Sequence, residues 1–246
     1  MKILRLTNSS DFHPGVPEEL RSQSVAARYI EKATGETVET FQRHMWPTEK
    51  FPDVIDRWID EYEPDVILFR LSSFWVAYES VPLRVGNRMG RYGKRVRQAG
   101  LKVGNHPMLV ERKPFKMARQ LAARTIGGDT YFTPEAAAAV LEETFRRIVA
   151  RESIMPVVRG TGLILNSSGS RSGLKRSKAR VVELNRLTIA ACERFRIPFS
   201  PEEAAESVSG GRIGDDLHDS AESHAEIGEA EGKLIADAWV AGRVSV

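Results

Sequence analysis

The chain has 246 residues, of which 41% are hydrophobic, and its formal net charge is +3. This length and composition suit one globular domain that can bury an ordinary core. No apolar run approaches the roughly 20 residues of a membrane-spanning helix, and the apolar stretch at the N-terminus is too short for a signal peptide, so we expect a soluble, cytoplasmic protein.

Short apolar segments alternate with helical segments along the chain. The apolar segments predict strands at Ile3–Leu6, Thr37–Phe41, Val66–Leu71, Ile154–Val158 and Ile197–Phe199. Helices are predicted between and after them, near residues 17–32, 52–62, 134–152, 178–195 and 220–240. Such alternation predicts an α/β fold, a parallel sheet with helices on both faces. Ligands of such sheets bind outside the carboxyl ends of the strands, where the loops converge.

The clearest helix begins at Pro134, with Thr133 as its N-cap and acidic residues ahead of basic ones. A later helical segment contains Cys192, the only cysteine of the chain. A single cysteine excludes an internal disulfide and a cysteine-rich metal site. Because its neighbours are apolar, we expect Cys192 to be an inert core residue.

Two polar segments lie at opposite ends of the sequence. The first strand is followed by Thr7-Asn8-Ser9-Ser10, a loop in which a serine would stand near a helix N-terminus, although serine pairs in polar loops are usually turns. The last helix is preceded by Asp215-Asp216-Leu217-His218. Either Asp219 or Ser220 can cap that helix, with Glu222 at capping-box spacing from Asp219. The cap does not explain Asp215 and His218, which can form a hydrogen-bonded pair.

Taken together, these segments resemble the SGNH (GDSL-type) hydrolase superfamily over most of the chain. The similarity lies in ILRLTNSS, PDVILFRLSSFW, IMPVVRGTG with KARVVELNRLTIAACERFRIPF, and GDDLHDSAESHAEIGEAEGKLIADAW. The resemblance implies a single domain over residues 1–246, a three-layer α/β/α sandwich with a central parallel sheet of the flavodoxin-like type. It also implies that Ser9 is the nucleophile, His218 the base and Asp215 the acid that orients it, without a cofactor. Ser10 is a rival nucleophile if the loop register differs by one.

The chain departs from the family pattern where oxyanion donors are expected. Thr7-Asn8 replaces the Gly-Asp before the serine, the segment QRHMWPT contains no glycine, and Phe74 stands in the place of the usual Asn. Loss of one such donor costs about 2.7–4 kcal/mol of transition-state stabilisation. The candidate replacements are the backbone N–H of Ser9 and the side chains of Asn8, His44, Ser72 and Ser73.

Residues 82–130 are predicted to form a basic helical insertion or cap. Between Arg84 and Arg124 the chain carries twelve Lys or Arg residues and one acid, Glu111. In RKPFKMARQLAARTIGG, apolar residues interleave with basic ones as on an amphipathic helix. The insertion can pack on the domain with a solvated basic face, attract an anionic substrate or touch a membrane surface. Nucleic-acid binding is less favoured, because aromatic residues are sparse and no binding motif is present.

The histidines do not predict a metal site, because His13, His44 and His106 lack metal-binding spacing. His224 is expected to face the sheet or to form a hydrogen bond. No glycine-rich phosphate motif is present either, since GRIGDD and GTGLIL lack the required context.

The sequence therefore predicts a serine ester hydrolase acting on a small acyl, acetyl or glycan ester. Two alternatives remain open. One is a catalytically impaired binding protein that uses the basic insertion, and the other is an acyltransferase with the same triad.

Overall fold

The computed structural model describes residues 1–12, 15–93, 95, 98–100, 114, 117–118, 121–122, 125, 128–162, 171–201 and 219–244. Its centre is a parallel sheet with the strand order β2-β1-β3-β4-β5. The strands are β1 Lys2–Thr7, β2 Glu39–His44, β3 Val66–Arg70, β4 Met155–Arg159 and β5 Phe199–Ser200. The predicted α/β fold with a central parallel sheet is confirmed.

Helices cover both faces of this sheet. They are α1 Ser22–Thr34, α2 Phe51–Tyr62, α3 Phe74–Ala77, α4 Val81–Arg88, α5 Pro134–Val149, α6 Arg171–Phe195 and α7 Ala221–Val244. The larger core lies between the sheet and α2, α5 and α6, and the smaller core lies under α1 and α7. Within the described ranges, no helix is both long and apolar enough to cross a membrane.

Local signals in the sequence explain several helix ends. The Thr133 hydroxyl accepts a hydrogen bond from the Ala136 N–H at 3.2 Å, as expected of the predicted N-cap of α5. Helix α1 ends at Gly35, whose φ of 72° is readily reached by glycine. Helix α1 begins later than predicted, because Pro17 is followed by a separate 3₁₀ turn, Glu18–Leu20.

Alternating residues of each strand face the two cores. On β1, Leu4 and Leu6 face the larger core while Ile3 faces the smaller one. Cys192 is buried in the larger core, as predicted, and burial raises the pKa of its thiol to about 12. Near neutral pH the thiol is therefore protonated and inert.

Helices α1 and α7 pack closely on the face that carries the smaller core. A Cβ atom at Gly228 would lie 2.6 Å from the Ser22 carbonyl oxygen, and one at Gly232 would lie 2.8 Å from the Tyr29 Cβ. Glycine at these two positions lets the helices approach, which sets the position of the N-terminal end of α7 over the sheet.

Two residues near the ends of the predicted insertion lie side by side. Ser80 and Asp129 form an isolated antiparallel bridge, with backbone hydrogen bonds of 2.8 and 3.2 Å. Most residues between α4 and Asp129 lie outside the described residues. Of those that are described, Met117 and Leu121 are exposed, so these two side chains do not pack on the domain.

Candidate active site

The loops expected to form a ligand crevice do meet at one edge of the sheet. Strands β1, β2, β3 and β4 are parallel, so their carboxyl ends lie side by side. Thr7, the last residue of β1, is in register with His44, the last residue of β2. Arg70 and Arg159 end β3 and β4 in register with each other. This edge is the candidate active site.

The candidate nucleophile lies at this edge. Ser9 begins a 3₁₀ turn, Ser9–Phe12, directly after β1. The side chains of Ser9 and of its rival Ser10 lie outside the described residues, as do Asp215 and His218 entirely. The roles assigned to all four residues stay predictions.

A residue near Ser9 and a residue next to His218 are described, and the two share one partner. Asp11, two residues after Ser9, accepts a hydrogen bond of 2.8 Å from Nη1 of Arg70. Asp219, the residue after His218, accepts one of 3.0 Å from Nη2 of the same guanidinium. The Arg70 side chain therefore joins the loop after β1 and the segment before α7 to the end of β3 through hydrogen bonds.

Arg70 belongs to a buried cluster of charges under α1 and α7. Its arginines end or lie near the end of three adjacent strands, and each side chain is at most 3% exposed. Two carboxylates, each 0% exposed, lie between them. We call this set the buried charge cluster: Arg5, Arg70, Arg159, Asp11 and Glu231.

Every charge in the buried charge cluster has an opposite partner. Arg5 contacts Asp11 at 2.5 Å and also hydrogen-bonds Glu231. Arg159 donates to Glu231 at 3.0 Å. The carboxylate of Asp219, 18% exposed at the edge of the cluster, supplies a third negative charge against three arginines. Burial of unpaired charges would be very costly, so this balance avoids a large loss of stability.

The protonation states follow from the same contacts. Burial alone would raise the pKa of Asp11, but Arg5, Arg70 and the hydroxyls of Thr7 and Ser22 hold it well below its usual range. Burial likewise opposes ionisation of Glu231, yet the three arginines lower its pKa. Both carboxylates are therefore ionised at neutral pH.

Neutral polar groups complete the hydrogen bonding of Asp11. Thr7 donates its hydroxyl to Asp11, and Ser22 donates its own at 2.8 Å. Thr7 stands where the resembling family has glycine, and its side chain here holds the loop that contains Ser9 through Asp11. The departure from the family pattern thus has a structural use.

His224 borders the buried charge cluster and is fully buried. Its Nδ1 accepts from the Ser22 N–H at 3.2 Å and lies 3.8 Å from Asp11. This confirms the expectation that His224 faces the sheet and forms a hydrogen bond. Burial lowers the pKa of His224, with Asp11 opposing the shift, so its imidazole is neutral at pH 7.

The structure shows which of the two candidate residues, Asp219 or Ser220, is the N-cap of α7. The Ser220 hydroxyl accepts from the Ser223 N–H at 3.2 Å, so Ser220 caps the helix. Asp219 instead accepts from Arg70. Asp219 is therefore not the N-cap that the capping-box spacing with Glu222 suggested, because its carboxylate binds Arg70.

The candidate oxyanion donors occupy the loops after β1, β2 and β3. Asn8 and His44 are half-buried at the ends of neighbouring strands, and Ser72 and Ser73 are buried after β3. The Ser72 hydroxyl already accepts from the Phe74 N–H at 3.3 Å. Burial lowers the pKa of His44, and its Nδ1 has no hydrogen-bond partner among the described residues.

Two of the histidines considered as metal ligands cannot be placed. His13 and His106 lie outside the described residues, and the described ones contain no group of three potential metal ligands.

Sequence reasoning missed the buried charge cluster, although a signal was present. One arginine stands in each of three apolar strand segments, at Arg5, Arg70 and Arg159. A charge in a buried strand needs an opposite charge nearby. That rule indicates acidic partners, but it does not say that they come from Asp11 and Glu231.

No family model matches the sequence, and no curated protein matches it. Among solved structures, esterase EstA from Pseudoalteromonas sp. superposes with a TM-score of 0.56 at 12% identity, over 97% of this chain and 98% of that chain. An aryl esterase from M. smegmatis gives 0.55 at 12% identity, over 96% and 98%. Est24, a carbohydrate acetylesterase from Sinorhizobium meliloti, gives 0.54 at 12% identity, over 96% and 98%.

The chain has the fold of the SGNH (GDSL-type) hydrolases. The superpositions cover nearly all of each chain, so the likeness extends to the whole domain. At this identity the likeness concerns the fold, and the chemistry must be argued from this chain's own residues.

Proposed function

We propose that the protein is a divergent SGNH-type serine ester hydrolase acting on a small acyl or acetyl ester. The observation that carries the proposal is the pair of hydrogen bonds from Arg70 to Asp11 and Asp219. These contacts bring the flanks of Ser9 and His218 to one guanidinium. Two chain segments separated by most of the sequence thereby reach the same edge of the sheet.

The proposed reaction is acyl transfer through the serine. The Ser9 oxygen bonds to the ester carbonyl carbon while His218 accepts the hydroxyl proton, and Asp215 orients the imidazole. Collapse of the tetrahedral intermediate breaks the bond to the alcohol, which leaves with the proton from His218. Water then adds to the acyl carbon while His218 takes its proton, the bond from that carbon to the Ser9 oxygen breaks, and Ser9 recovers the proton from His218 as the acid is released.

Stabilisation of the oxyanion would rely on the loops after β1 and β2. Ser9 begins a 3₁₀ turn, and the first N–H groups of a helical turn have no partner within it. His44 ends the strand next to β1, within the segment QRHMWPT, where the resembling family carries a glycine that this chain lacks. A neutral imidazole at that place can donate one hydrogen bond.

The superposed structures support this reaction class. They are esterases, one described as an aryl esterase and another as a carbohydrate acetylesterase. The proposed substrates are therefore uncharged or weakly acidic esters of small alcohols, phenols or sugars. The basic insertion would add attraction for an anionic one.

A fluorophosphonate probe tests the proposal, because it labels a serine activated by a neighbouring base. We expect an adduct on Ser9 in the wild-type protein and in Ser10→Ala, the matched control for the rival nucleophile. The adduct should disappear in Ser9→Ala and in His218→Ala while the circular dichroism spectrum is retained. A folded wild-type protein without an adduct would favour the binding-protein alternative, and an adduct on Ser10 would reassign the nucleophile.

A further inference from the structure

Aromatic side chains form a continuous row across the candidate active site. They come from the turn after β1, the end of β2 and its loop, the segment after β3, and the residues just before α5. We call this row the aromatic arc: Phe12, His44, Trp46, Phe74, Tyr78 and Tyr131.

Ring contacts join the members of the aromatic arc one after another. The centroids of Phe12 and His44 lie 6.1 Å apart, and those of His44 and Trp46 lie 5.3 Å apart. Trp46 contacts Phe74 at 5.6 Å. Phe74 in turn contacts Tyr131 at 5.2 Å and Tyr78 at 5.1 Å. All these spacings fall in the range of favourable aromatic pairs.

The aromatic arc is open to solvent although its support is rigid. Trp46 is 52% exposed and Phe12 is 44% exposed. Beneath them, Met45 is fixed by two hydrogen bonds, from its N–H to the Thr7 carbonyl at 2.8 Å and from the Trp75 indole to its own carbonyl at 2.9 Å. A patch of adjoining rings that is open to solvent is typical of a binding site, which points to a use in binding.

The arc also adjoins the candidate nucleophile. Phe12 closes the same 3₁₀ turn that Ser9 begins, and His44 is in register with Thr7. A group bound on the arc would therefore lie beside the ester bond that Ser9 attacks.

The chemistry of the arc selects a kind of ligand. Its six members are all ring side chains, and none carries a charge at neutral pH because burial keeps His44 neutral. An aliphatic chain is best bound by aliphatic side chains that wrap around it, and the arc has none. Flat rings instead stack on aromatic faces, whether the ring is an arene or the apolar face of a sugar.

We propose that the aromatic arc is the subsite for a flat, uncharged ring in the substrate, with Trp46 as its principal contact. The inference rests on the proposed function, because it assigns the ring to one side of the ester that Ser9 cleaves. Aryl and pyranose groups share this chemistry, and the experiment separates them.

The test compares three acetyl esters of primary alcohols: benzyl acetate, heptyl acetate and a methyl glucopyranoside acetylated on its primary hydroxyl. In Trp46→Ala we expect kcat/KM to fall roughly two- to tenfold for the esters that carry a ring, mainly through KM. Heptyl acetate should change little, and Trp46→Phe should recover most of the loss. A larger loss for benzyl acetate than for the sugar ester identifies an aryl ligand, and the reverse identifies a pyranose.

Tyr92→Ala is the matched control, because Tyr92 is an aromatic residue outside the aromatic arc with the same 52% exposure as Trp46. This variant should leave kcat/KM unchanged for all three esters. Equal losses for heptyl and benzyl acetate in Trp46→Ala, or no loss for either ring ester, would overturn the inference.

A binding measurement keeps this inference separable from the proposed function. In Ser9→Ala, saturation-transfer NMR should show contact between the protein and the benzyl ring, and the added Trp46→Ala change should remove it. If the wild-type protein hydrolyses none of the three esters, ring contact that depends on Trp46 would leave the subsite standing and refute hydrolysis. If the wild type is active and the Ser9→Ala variant shows no ring contact, the subsite is refuted and the proposed function stands.

Discussion

Arg70 and Asp219 are joined by a 3.0 Å hydrogen bond across 149 positions of the sequence. The arginine ends a central strand, and the aspartate follows the candidate base His218. Because the other side of the guanidinium holds Asp11, the two candidate catalytic segments are tied to one rigid group. We therefore predict that the catalytic role proposed for His218 depends on Asp219.

The first prediction concerns Asp219→Asn, which keeps the shape of the side chain and removes its charge. Weakening the bond to Arg70 should loosen the segment that carries His218, and a misplacement of about 1 Å can cost on the order of 100-fold in rate. We expect kcat for a simple acetyl ester to fall at least about tenfold while the protein stays folded. Asp237→Asn, which breaks an exposed pair with Lys233 on the same helix, should leave kcat unchanged. An unchanged kcat in Asp219→Asn would show that Arg70 does not position the base.

The second prediction concerns the buried charge cluster itself. Arg70→Met removes one buried partner and leaves Asp11 with an incomplete set of donors, which typically costs about 3–5 kcal/mol. We expect a loss of that size in the free energy of unfolding, measured with urea. Arg151→Met breaks partly exposed pairs with Asp56 and Asp60 and should cost about 1 kcal/mol or less. Similar losses in the two variants would contradict the special status of the cluster.

The third prediction concerns pH. The lowered pKa values of Asp11 and Glu231 contribute stability that is present above their ordinary values of 3.8 and 4.5 and is lost as the pH falls through their folded values. The lowered pKa of His224 affects stability at a higher pH than the two carboxylates do. Below its ordinary value of 6.5, the unfolded chain takes up a proton that the folded chain does not.

Stability should therefore decline in two stages on acidification, first below about pH 6.5 and then below about pH 4. His44 also has a lowered pKa and contributes to the first stage. His224→Gln retains an acceptor for the Ser22 N–H and should reduce the first stage while leaving the second unchanged. Urea unfolding at a series of pH values measures both stages. A first stage of unchanged size in His224→Gln would assign it to His44 or another group.

The fourth prediction concerns the contact between α1 and α7. Gly228→Ala places a methyl group 2.6 Å from the Ser22 carbonyl oxygen, so the helices must separate. We expect a loss of about 1–3 kcal/mol in the free energy of unfolding, with a fall in kcat because α7 carries the buried charge cluster through Glu231.

Gly242→Ala is the control on the same helix, because a Cβ there meets nothing within 4 Å. It should leave stability unchanged or raise it by at most about 1 kcal/mol through helix propensity. Destabilisation by both changes alike would mean that close packing is not the cause.

The sequence by itself determined the order of strands and helices, because these depend on local patterns. Apolar runs and helical spacing are properties of neighbouring residues, and so are the Thr133 cap and the Gly35 end. The buried state of Cys192 followed from its apolar helix in the same way. The ends of the strands were predicted less accurately. Strand β2 ends at His44, whereas the sequence suggested an end at Phe41.

The tertiary structure alone decided how the charges pair. Arg5 and Glu231 are 226 positions apart, and their contact exists only because α1 and α7 close over one face of the sheet. The aromatic arc depends in the same way on four loops meeting at one edge. Pairing of distant side chains depends on which surfaces are brought together, and a local sequence pattern does not carry that information.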